Sequence, residues 1–213
     1  MWGVTESAED ATGDAASAPF RVLFVCTGNI CRSPMAEWLL RAALTPWAAM
    51  RVESAGTHAA PGSPMSPKAL RVLRQAGVTV EGFAARRLTA RMIAEADLVL
   101  TAERAHRAWV VSMNPRAAGV TFTIVEYGTL VAAVPPSTPA AHGDAVDRAR
   151  ALTAAARGLR GLVRVDQPDL RDPYGRSARA YRVAARRVQD ALAAPIEVLT
   201  APVRRPPAVP AGS

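Results

Sequence analysis

The stretch VLFVCTGNICRSPMAEWL, residues 22–39, carries most of the information about the architecture of this chain. It begins inside a short apolar run, residues 21–25, that is typical of a buried strand. From Ser33 onward its apolar residues recur at helical spacing, and Pro34 suits the first position of a helix. The residues between these two parts include Gly28 and Asn29, which favour a turn. The stretch therefore predicts a strand, a loop and a helix in that order.

The same alternation of short apolar runs and helical patterns continues along the chain. Further strands are predicted at residues 51–54, 98–100 and 120–125, and helices at residues 66–77, 89–96 and 103–111. Strands that alternate with helices form a parallel sheet, because each helix carries the chain back to the starting edge. We therefore expect an α/β fold, with a parallel sheet covered by helices on both faces.

The ends of the chain and one internal stretch depart from this rhythm. Residues 1–19 and the Pro-rich residues 201–213 lack apolar periodicity and are expected to be disordered tails. The folded domain is expected at residues 20–200, with an insertion at about 132–168. One domain of this size can bury a full hydrophobic core.

Two helices are predicted in the second half of the chain. Residues 144–159 form an Ala/Arg pattern of low hydrophobicity, and the arginines of residues 150–160 are expected to form a solvated face. Ser177 is expected to cap the last helix. Pro195 should kink or end that helix, because proline lacks the backbone N–H that the helix needs.

The composition indicates the class of protein and argues against a nucleic-acid partner. The 213 residues are 50% hydrophobic and carry a formal net charge of +8. Lys68 is the only lysine among the 26 basic residues, which indicates a bias of the whole sequence, typical of a bacterium with a GC-rich genome. The arginines are interleaved with acids and alanines, and few aromatic residues are present to stack on bases.

The sequence also predicts a cytoplasmic location. No run of 18 apolar residues exists, and residues 1–19 contain four acidic residues where a signal peptide needs a basic start and an apolar centre. The two cysteines, Cys26 and Cys31, are only five positions apart, so they cannot staple the fold. No membrane association is expected, and the cysteines are expected to serve chemistry.

The loop after the first strand has the composition of an anion site. In a parallel sheet, ligands bind at the carboxyl ends of the strands, where a following helix presents free N–H groups to an anion. Gly28 and Asn29 tolerate left-handed backbone and can turn successive N–H groups inward. Arg32 adds a planar cation that grips two oxygens of a phosphate or a similar oxyanion.

Cys26 is the candidate nucleophile of this loop. The N–H groups, the helix dipole and Arg32 would stabilise its thiolate, which could attack a bound phosphorus and form a phosphocysteine that water then hydrolyses. Ser33 could donate a hydrogen bond to the thiolate. Asp172 is the candidate general acid, although spacing alone leaves Asp166 and Asp169 as rivals.

Residues 22–39 resemble the opening of the low-molecular-weight protein-tyrosine phosphatases of bacterial type. The resemblance continues through residues 53–57, 86–88, 96–100 and 172–174. It implies a four-stranded parallel sheet and hydrolysis of phosphotyrosine in proteins without a cofactor or metal. The roles it implies are Cys26 as nucleophile, Arg32 as phosphate clamp and Asp172 as general acid.

The resemblance also implies roles around these three residues. A network that includes Ser54 is expected to support the loop. Cys31 could form a reversible disulfide with Cys26 that protects the nucleophile from over-oxidation. Tyr174 is expected to form a wall against an aromatic leaving group. The residues expected to bind substrate or phosphate are Thr27, Gly28, Asn29, Ile30, Cys31, Ser33 and Tyr174.

The chain departs from the family pattern at several positions. Phe83 stands where many members have a histidine that completes the network with the Ser54 match, and Thr101-Ala102 replaces the usual Met-Asp. Ile30 stands where arginine-phosphate phosphatases of this scaffold carry threonine, which favours an aryl ester substrate.

Two alternatives remain open. One is arsenate reduction with an external thiol, since only two cysteines are present, and the other is a catalytically inert phosphate-binding module. No metal site is predicted, because His58, His106 and His142 are widely separated and show no ligand spacing.

Overall fold

The computed structural model describes residues 18–45, 49–135 and 143–201. Apart from residues 18, 19 and 201, the two predicted tails lie outside the described residues, and so does His142. Within the described ranges, no helix combines the length and the apolar character needed to cross a bilayer.

Four short strands form one parallel sheet at the centre of the structure. They are β1 (Phe20–Cys26), β2 (Met50–Gly56), β3 (Leu98–Thr101) and β4 (Thr121–Thr123). Their order across the sheet is β2-β1-β3-β4. Every residue of β1 except Arg21 is buried, because helices cover both faces of the sheet. The predicted parallel α/β architecture is confirmed.

The helices of the described residues pack on the two faces of this sheet. They are α1 (Arg32–Ala43), α2 (Pro67–Gln75), α3 (Ala90–Glu95), α4 (Arg104–Met113), a 3-10 helix (Pro115–Gly119), α5 (Ile124–Ala132), α6 (Ala145–Leu159) and α7 (Ala178–Thr200). On one face, Phe24 of β1 shares an apolar cluster with Leu40 of α1 and with residues of α5, α6 and α7. On the other face, Leu23 of β1 shares a cluster with Ile93 of α3 and Val110 of α4. The alternation of Leu23 and Phe24 thus joins the sheet to both layers.

The strand predicted at residues 120–125 is wrong in its second half. β4 ends at Thr123, and α5 begins at Ile124. Thr123 Oγ1 accepts a hydrogen bond from the backbone N–H of Glu126, and Glu126 Oε2 accepts one from the backbone N–H of Thr123, both at 3.1 Å. This capping box starts a helix, and it outweighs the β preference of the apolar residues that follow Thr123.

The helix of the predicted insertion is part of the core. Val146, Leu152 and Ala156 of α6 are buried in the same cluster as β1. The expected solvated face of residues 150–160 is also interrupted, because Arg160 lies 4.0 Å from the ring centroid of Phe122 and donates to a backbone carbonyl of β4.

Of the two outcomes predicted at Pro195, a kink or an end of the last helix, the end is wrong. α7 continues to Thr200, and Leu199 beyond the proline is buried in the core. The buried guanidinium of Arg148 donates to the carbonyls of Leu199 (2.9 Å) and Ala201 (2.8 Å), so it satisfies two backbone acceptors at the helix end. Tertiary packing and this side-chain cap outweigh the loss of one helical hydrogen bond.

Gly128 of α5 lies directly against the backbone of α7, so a substitution at this position tests how closely the two helices pack. A Cβ at this position would lie 2.0 Å from the carbonyl oxygen of Ala191. We expect Gly128→Ala to lower the free energy of unfolding by about 1–3 kcal/mol, as overpacked cores do. Urea denaturation measures this change.

The matched control is Gly158→Ala in α6, where a Cβ would meet no atom within 4 Å. We expect this variant to keep its stability or gain up to about 1 kcal/mol, because alanine favours a helix over glycine. Equal losses in both variants would contradict the close packing of α5 on α7.

Candidate active site

The predicted loop lies at the carboxyl edge of the sheet, between the end of β1 and the start of α1. It forms the floor of a pocket of about 250 Å³. The lining residues are Cys26, Thr27, Gly28, Ile30, Cys31, Arg32, Asp172 and Tyr174. The structure therefore brings together the candidate nucleophile, the candidate clamp and the candidate acid, although Asp172 is far from the other two in sequence. The side chains of Asn29, Ser33 and Ser54 are buried and do not line the pocket.

The backbone of the loop turns at Asn29, which has a φ of +52°. Gly28 does not adopt a positive φ, so of the two residues that tolerate left-handed backbone only Asn29 uses it. The close approach is provided instead by Gly56 at the end of β2. A Cβ on Gly56 would lie 2.5 Å from the carbonyl oxygen of Thr27 and 2.8 Å from the backbone nitrogen of Asn29.

A chain of hydrogen bonds supports Cys26 from beneath the loop. The sulfur of Cys26 lies 3.0 Å from Ser33 Oγ. Asn29 Nδ2 donates to Ser33 Oγ at 2.9 Å and to Ser54 Oγ at 2.7 Å. The backbone N–H of Arg86 donates to Asn29 Oδ1 at 2.8 Å, which fixes the orientation of the amide. The network that the resemblance implies is therefore present without a histidine.

Arg32 is a buried cation with several fixed partners. Its Nη2 donates to Asp172 Oδ2 at 2.9 Å, and its Nη1 donates to the backbone carbonyl of Leu170 at 3.0 Å. Nη1 also pairs with Glu103 Oε1. Arg32 is 2% exposed, so these contacts hold the guanidinium in one place at the wall of the pocket.

Sequence reasoning missed Glu103 and His106 as parts of the site. Both follow β3, whose carboxyl end lies at the same edge as the loop. His106 Nε2 lies 2.8 Å from Thr27 Oγ1. Burial and the charge of Arg32 lower the pKa of His106, which favours the neutral ring, and in the tautomer with its proton on Nδ1 the Nε2 atom accepts a hydrogen bond from the Thr27 hydroxyl. The position just after a strand was the available signal for both residues.

The three acidic candidates differ in their surroundings. Asp172 lines the pocket beside Arg32, and its Oδ1 accepts the backbone N–H of Tyr174 at 3.1 Å. Asp169 pairs with Arg104 at the start of α4, and Asp166 pairs with exposed Arg164. Neither rival lines the pocket, so the geometry favours Asp172 as the acid.

Cys31 and Tyr174 both line the pocket but differ in solvent exposure. Burial raises the pKa of the Cys31 thiol, whose sulfur lies 3.4 Å from the hydroxyl of Tyr181. Cys31 is therefore a protonated thiol at neutral pH. Tyr174 is 65% exposed and stands at the mouth, where it is free to contact a bound molecule.

A second, larger cleft of about 1030 Å³ lies beside α1 and β2. Glu37, Trp38, Phe83 and Arg86 are among its lining residues. It contains none of the predicted catalytic residues, so the smaller pocket is the candidate active site. Among the described residues, no three His, Cys, Asp or Glu side chains are grouped closely enough to hold a metal ion.

The close approach at Gly56 gives a test of the loop geometry. We expect Gly56→Ala to push the loop from β2 and to weaken the binding of inorganic phosphate by about ten- to hundredfold, the value of one lost hydrogen bond to a charged group. Isothermal titration calorimetry measures this affinity. Gly158→Ala is the control and should bind phosphate as the native protein does, whereas unchanged affinity in Gly56→Ala would contradict the argument.

Known proteins similar to this chain support the resemblance found in its sequence. The model of the family described as "Low molecular weight phosphotyrosine protein phosphatase" matches residues 21–134. The low molecular weight protein-tyrosine-phosphatase Etp of Escherichia coli K12 is 44% identical over 100 residues, which cover 47% of this chain and 66% of Etp. A protein-arginine-phosphatase of Geobacillus stearothermophilus is 39% identical over 109 residues, which cover 51% of this chain and 72% of that protein. The aligned segments thus span about two thirds of these relatives' length.

Solved structures extend the similarity over most of the domain. The YwlE arginine phosphatase from Geobacillus stearothermophilus superposes with a TM-score of 0.63 at 29% identity, covering 85% of this chain and 93% of that one. The Erwinia amylovora tyrosine phosphatase AmsI superposes with a TM-score of 0.62 at 26% identity and the same two coverages. With the family match over more than half of the residues, this chain belongs to the low molecular weight protein-tyrosine phosphatase family.

Proposed function

We propose that the protein is a protein-tyrosine phosphatase that hydrolyses aryl phosphomonoesters through a phosphocysteine intermediate. The observation that carries this proposal is the pocket in which Cys26, Arg32 and Asp172 meet, with Arg32 Nη2 2.9 Å from Asp172 Oδ2. A nucleophile, an oxyanion clamp and a proton donor are the three groups that this hydrolysis needs.

In the first step, the Cys26 thiolate attacks the phosphorus of the bound ester. The S–P bond forms while the bond from phosphorus to the ester oxygen breaks. Asp172, in its protonated form, gives its proton to the departing phenolate oxygen. Arg32 and the backbone N–H groups of residues 27–32 stabilise the negative charge on the three equatorial oxygens of phosphorus.

In the second step, water attacks the phosphocysteine. Asp172, now a carboxylate, accepts a proton from this water, and the S–P bond breaks to release phosphate. The sulfur of Cys26 leaves as a thiolate, which the hydroxyl of Ser33 at 3.0 Å can stabilise by donating a hydrogen bond. The same carboxyl group therefore acts as acid and then as base.

The pocket wall supports a phosphotyrosine side chain of a protein as substrate. Ile30 presents an apolar side chain to the pocket, and exposed Tyr174 stands at its mouth. An aromatic ring of the substrate can pack between such groups. We place this activity in the bacterial cytoplasm, as the composition suggests, with no nucleic-acid or membrane partner.

The alternatives weighed from the sequence are less well supported. Against arsenate reduction with an external thiol, the Gly28-Asn29 pair of the loop and the Asp172-Pro173 turn favour the phosphatase. An inert phosphate-binding module does not require an acid beside the clamp, yet Asp172 contacts Arg32 directly. The similar proteins described above are named as phosphatases.

Hydrolysis of p-nitrophenyl phosphate in the absence of metal tests the roles of Cys26 and Asp172. We expect Cys26→Ser to abolish the release of p-nitrophenol and Asp172→Asn to lower kcat by about 10²–10⁴-fold, the range for loss of a general acid. The matched control is Asp169→Asn, three residues away, which should keep native activity because Asp169 pairs with Arg104 outside the pocket. No hydrolysis by the reduced native protein would sink the phosphatase proposal.

The choice between phosphotyrosine and phosphoarginine is tested with two peptides that differ only in the phosphorylated residue. We expect the native protein to prefer the phosphotyrosine peptide in kcat/KM, because Ile30 supplies an apolar wall. Ile30→Thr should narrow that preference by about tenfold, the value of a small change in an apolar contact. A native preference for the phosphoarginine peptide would replace the aryl ester as the substrate class.

A further inference from the structure

Glu37 of α1 is a buried carboxylate that the proposed mechanism does not use. It is 6% exposed, and it is the partner of Ser54 beneath the loop. Ser54 Oγ donates to Glu37 Oε2 at 2.6 Å, and Arg41 Nη1 donates to Glu37 Oε1 at 3.1 Å. Burying a carboxylate costs free energy even when it is paired, so the position of Glu37 at the end of the hydrogen bonds that lead from Cys26 to Ser54 needs an explanation.

The direction of each hydrogen bond beneath the loop follows from the donors. The backbone N–H of Arg86 can only donate, so the atom of Asn29 that faces it is the oxygen, and the amide nitrogen faces the two serines. That nitrogen donates one hydrogen to Ser33 Oγ and the other to Ser54 Oγ. Both serine oxygens therefore act as acceptors toward Asn29 and must place their own protons elsewhere.

Glu37 decides where the proton of Ser54 goes. Its Oε2 lies 2.6 Å from Ser54 Oγ and has no proton of its own when the carboxyl group is ionised, so it accepts the Ser54 hydroxyl. Ser33, which accepts from Asn29 in the same way, has its own proton available for the sulfur of Cys26 at 3.0 Å, since the carbonyl of Ala55 is more distant at 3.4 Å. The carboxylate thus anchors a chain whose last hydroxyl points at the nucleophile.

The residue at position 83 explains why a carboxylate, and not a histidine, accepts the hydrogen bond from Ser54. It occupies the position at which the family resemblance leads one to expect a histidine, and its ring has no atom that can accept the Ser54 proton. Phe83 packs instead against an apolar cluster that contains Met35 and Leu73, with Trp38 at its edge. Glu37 reaches Ser54 from α1, on the helix that also begins with Arg32 and Ser33.

We propose that Glu37 is a positioning residue whose carboxylate accepts the Ser54 hydroxyl and, through Asn29 and Ser33, holds a hydrogen-bond donor on the Cys26 sulfur. This inference rests on the proposed function in that Cys26 is taken as the nucleophile. It assigns Glu37 no contact with substrate. Its effect is expected on the reactivity of the thiolate and on kcat, with little effect on KM.

The surroundings of Glu37 act on its pKa in opposite directions, and the net effect is a rise above the ordinary value. Burial raises the pKa of Glu37, and Ser54, Arg41 and Arg86 oppose that rise. Replacing this carboxylate by an apolar side chain of similar length leaves Arg41 unpaired, but Arg41 is half exposed, so no buried charge loses its partner and the variant should remain folded. Loss of function in a folded variant is therefore the expected signature.

The test compares Glu37→Met, which lacks an acceptor, with Glu37→Gln, which keeps the shape and one acceptor oxygen. Alkylation of Cys26 by iodoacetamide, located by mass spectrometry between pH 4 and 8, reports the thiolate without any turnover. We expect the midpoint of alkylation in Glu37→Met to move to higher pH and kcat for p-nitrophenyl phosphate to fall by about tenfold, the value of a hydrogen bond to a charged group. Glu37→Gln should stay within about threefold of the native kcat, the neutral bond being weaker.

The matched control is Glu53→Met, which removes a carboxylate from the neighbour of Ser54. Glu53 pairs with Arg51 and Arg86 and does not contact the Ser54 side chain, so native alkylation and kcat are expected. Native behaviour of a folded Glu37→Met would overturn the inference. A native protein whose Cys26 is alkylated but that hydrolyses no ester would instead overturn the proposed function, so the two failures are distinguishable.

Discussion

The side-chain amide of Asn29 is the interaction on which the active-site geometry depends. One hydrogen goes to Ser33 at the start of α1, the other goes to Ser54 of β2, and the oxygen accepts from Arg86. These bonds tie the loop to the helix that follows it, to the neighbouring strand and to the segment beyond. The left-handed backbone at Asn29 lets one residue make all of these contacts. An interior that leaves no water to compete makes each bond stronger than it would be at the surface.

The site is assembled at one edge of the sheet from segments that are distant in sequence. β1 delivers Cys26, the residues after β3 deliver Glu103 and His106, and the chain beyond α6 delivers Asp172. Arg32 is the common partner of Glu103 and Asp172, so its buried charge holds these segments together. The fold supplies the geometry, because parallel strands end at the same edge.

The sequence predicts the sheet and the loop well, because both depend on short-range patterns. The apolar run of β1 and the residues from Cys26 to Ser33 are local signals of a buried strand and an anion loop. Asp172 could be selected among three acids only with the family resemblance, since spacing says nothing about a contact 140 positions away. Tertiary contacts also explain the failures. A side-chain cap and a buried last turn carry α7 past Pro195, and no local pattern shows that a side chain elsewhere will supply them.

The long stretch of sequence between Arg32 and Asp172 determines when, during synthesis, the active site becomes complete. During synthesis Cys26 and Arg32 leave the ribosome first, and Asp172 follows 140 residues after Arg32, on the order of ten seconds later at about 5–20 residues per second. Throughout that interval the growing chain contains a thiol and a clamp without the group that protonates the leaving oxygen. α7, whose Val188 and Leu192 complete the core around β1, emerges later still. On the proposed mechanism the unfinished chain therefore hydrolyses phosphate esters slowly. Full activity begins only after the carboxyl-terminal third of the chain has packed against the rest of the domain.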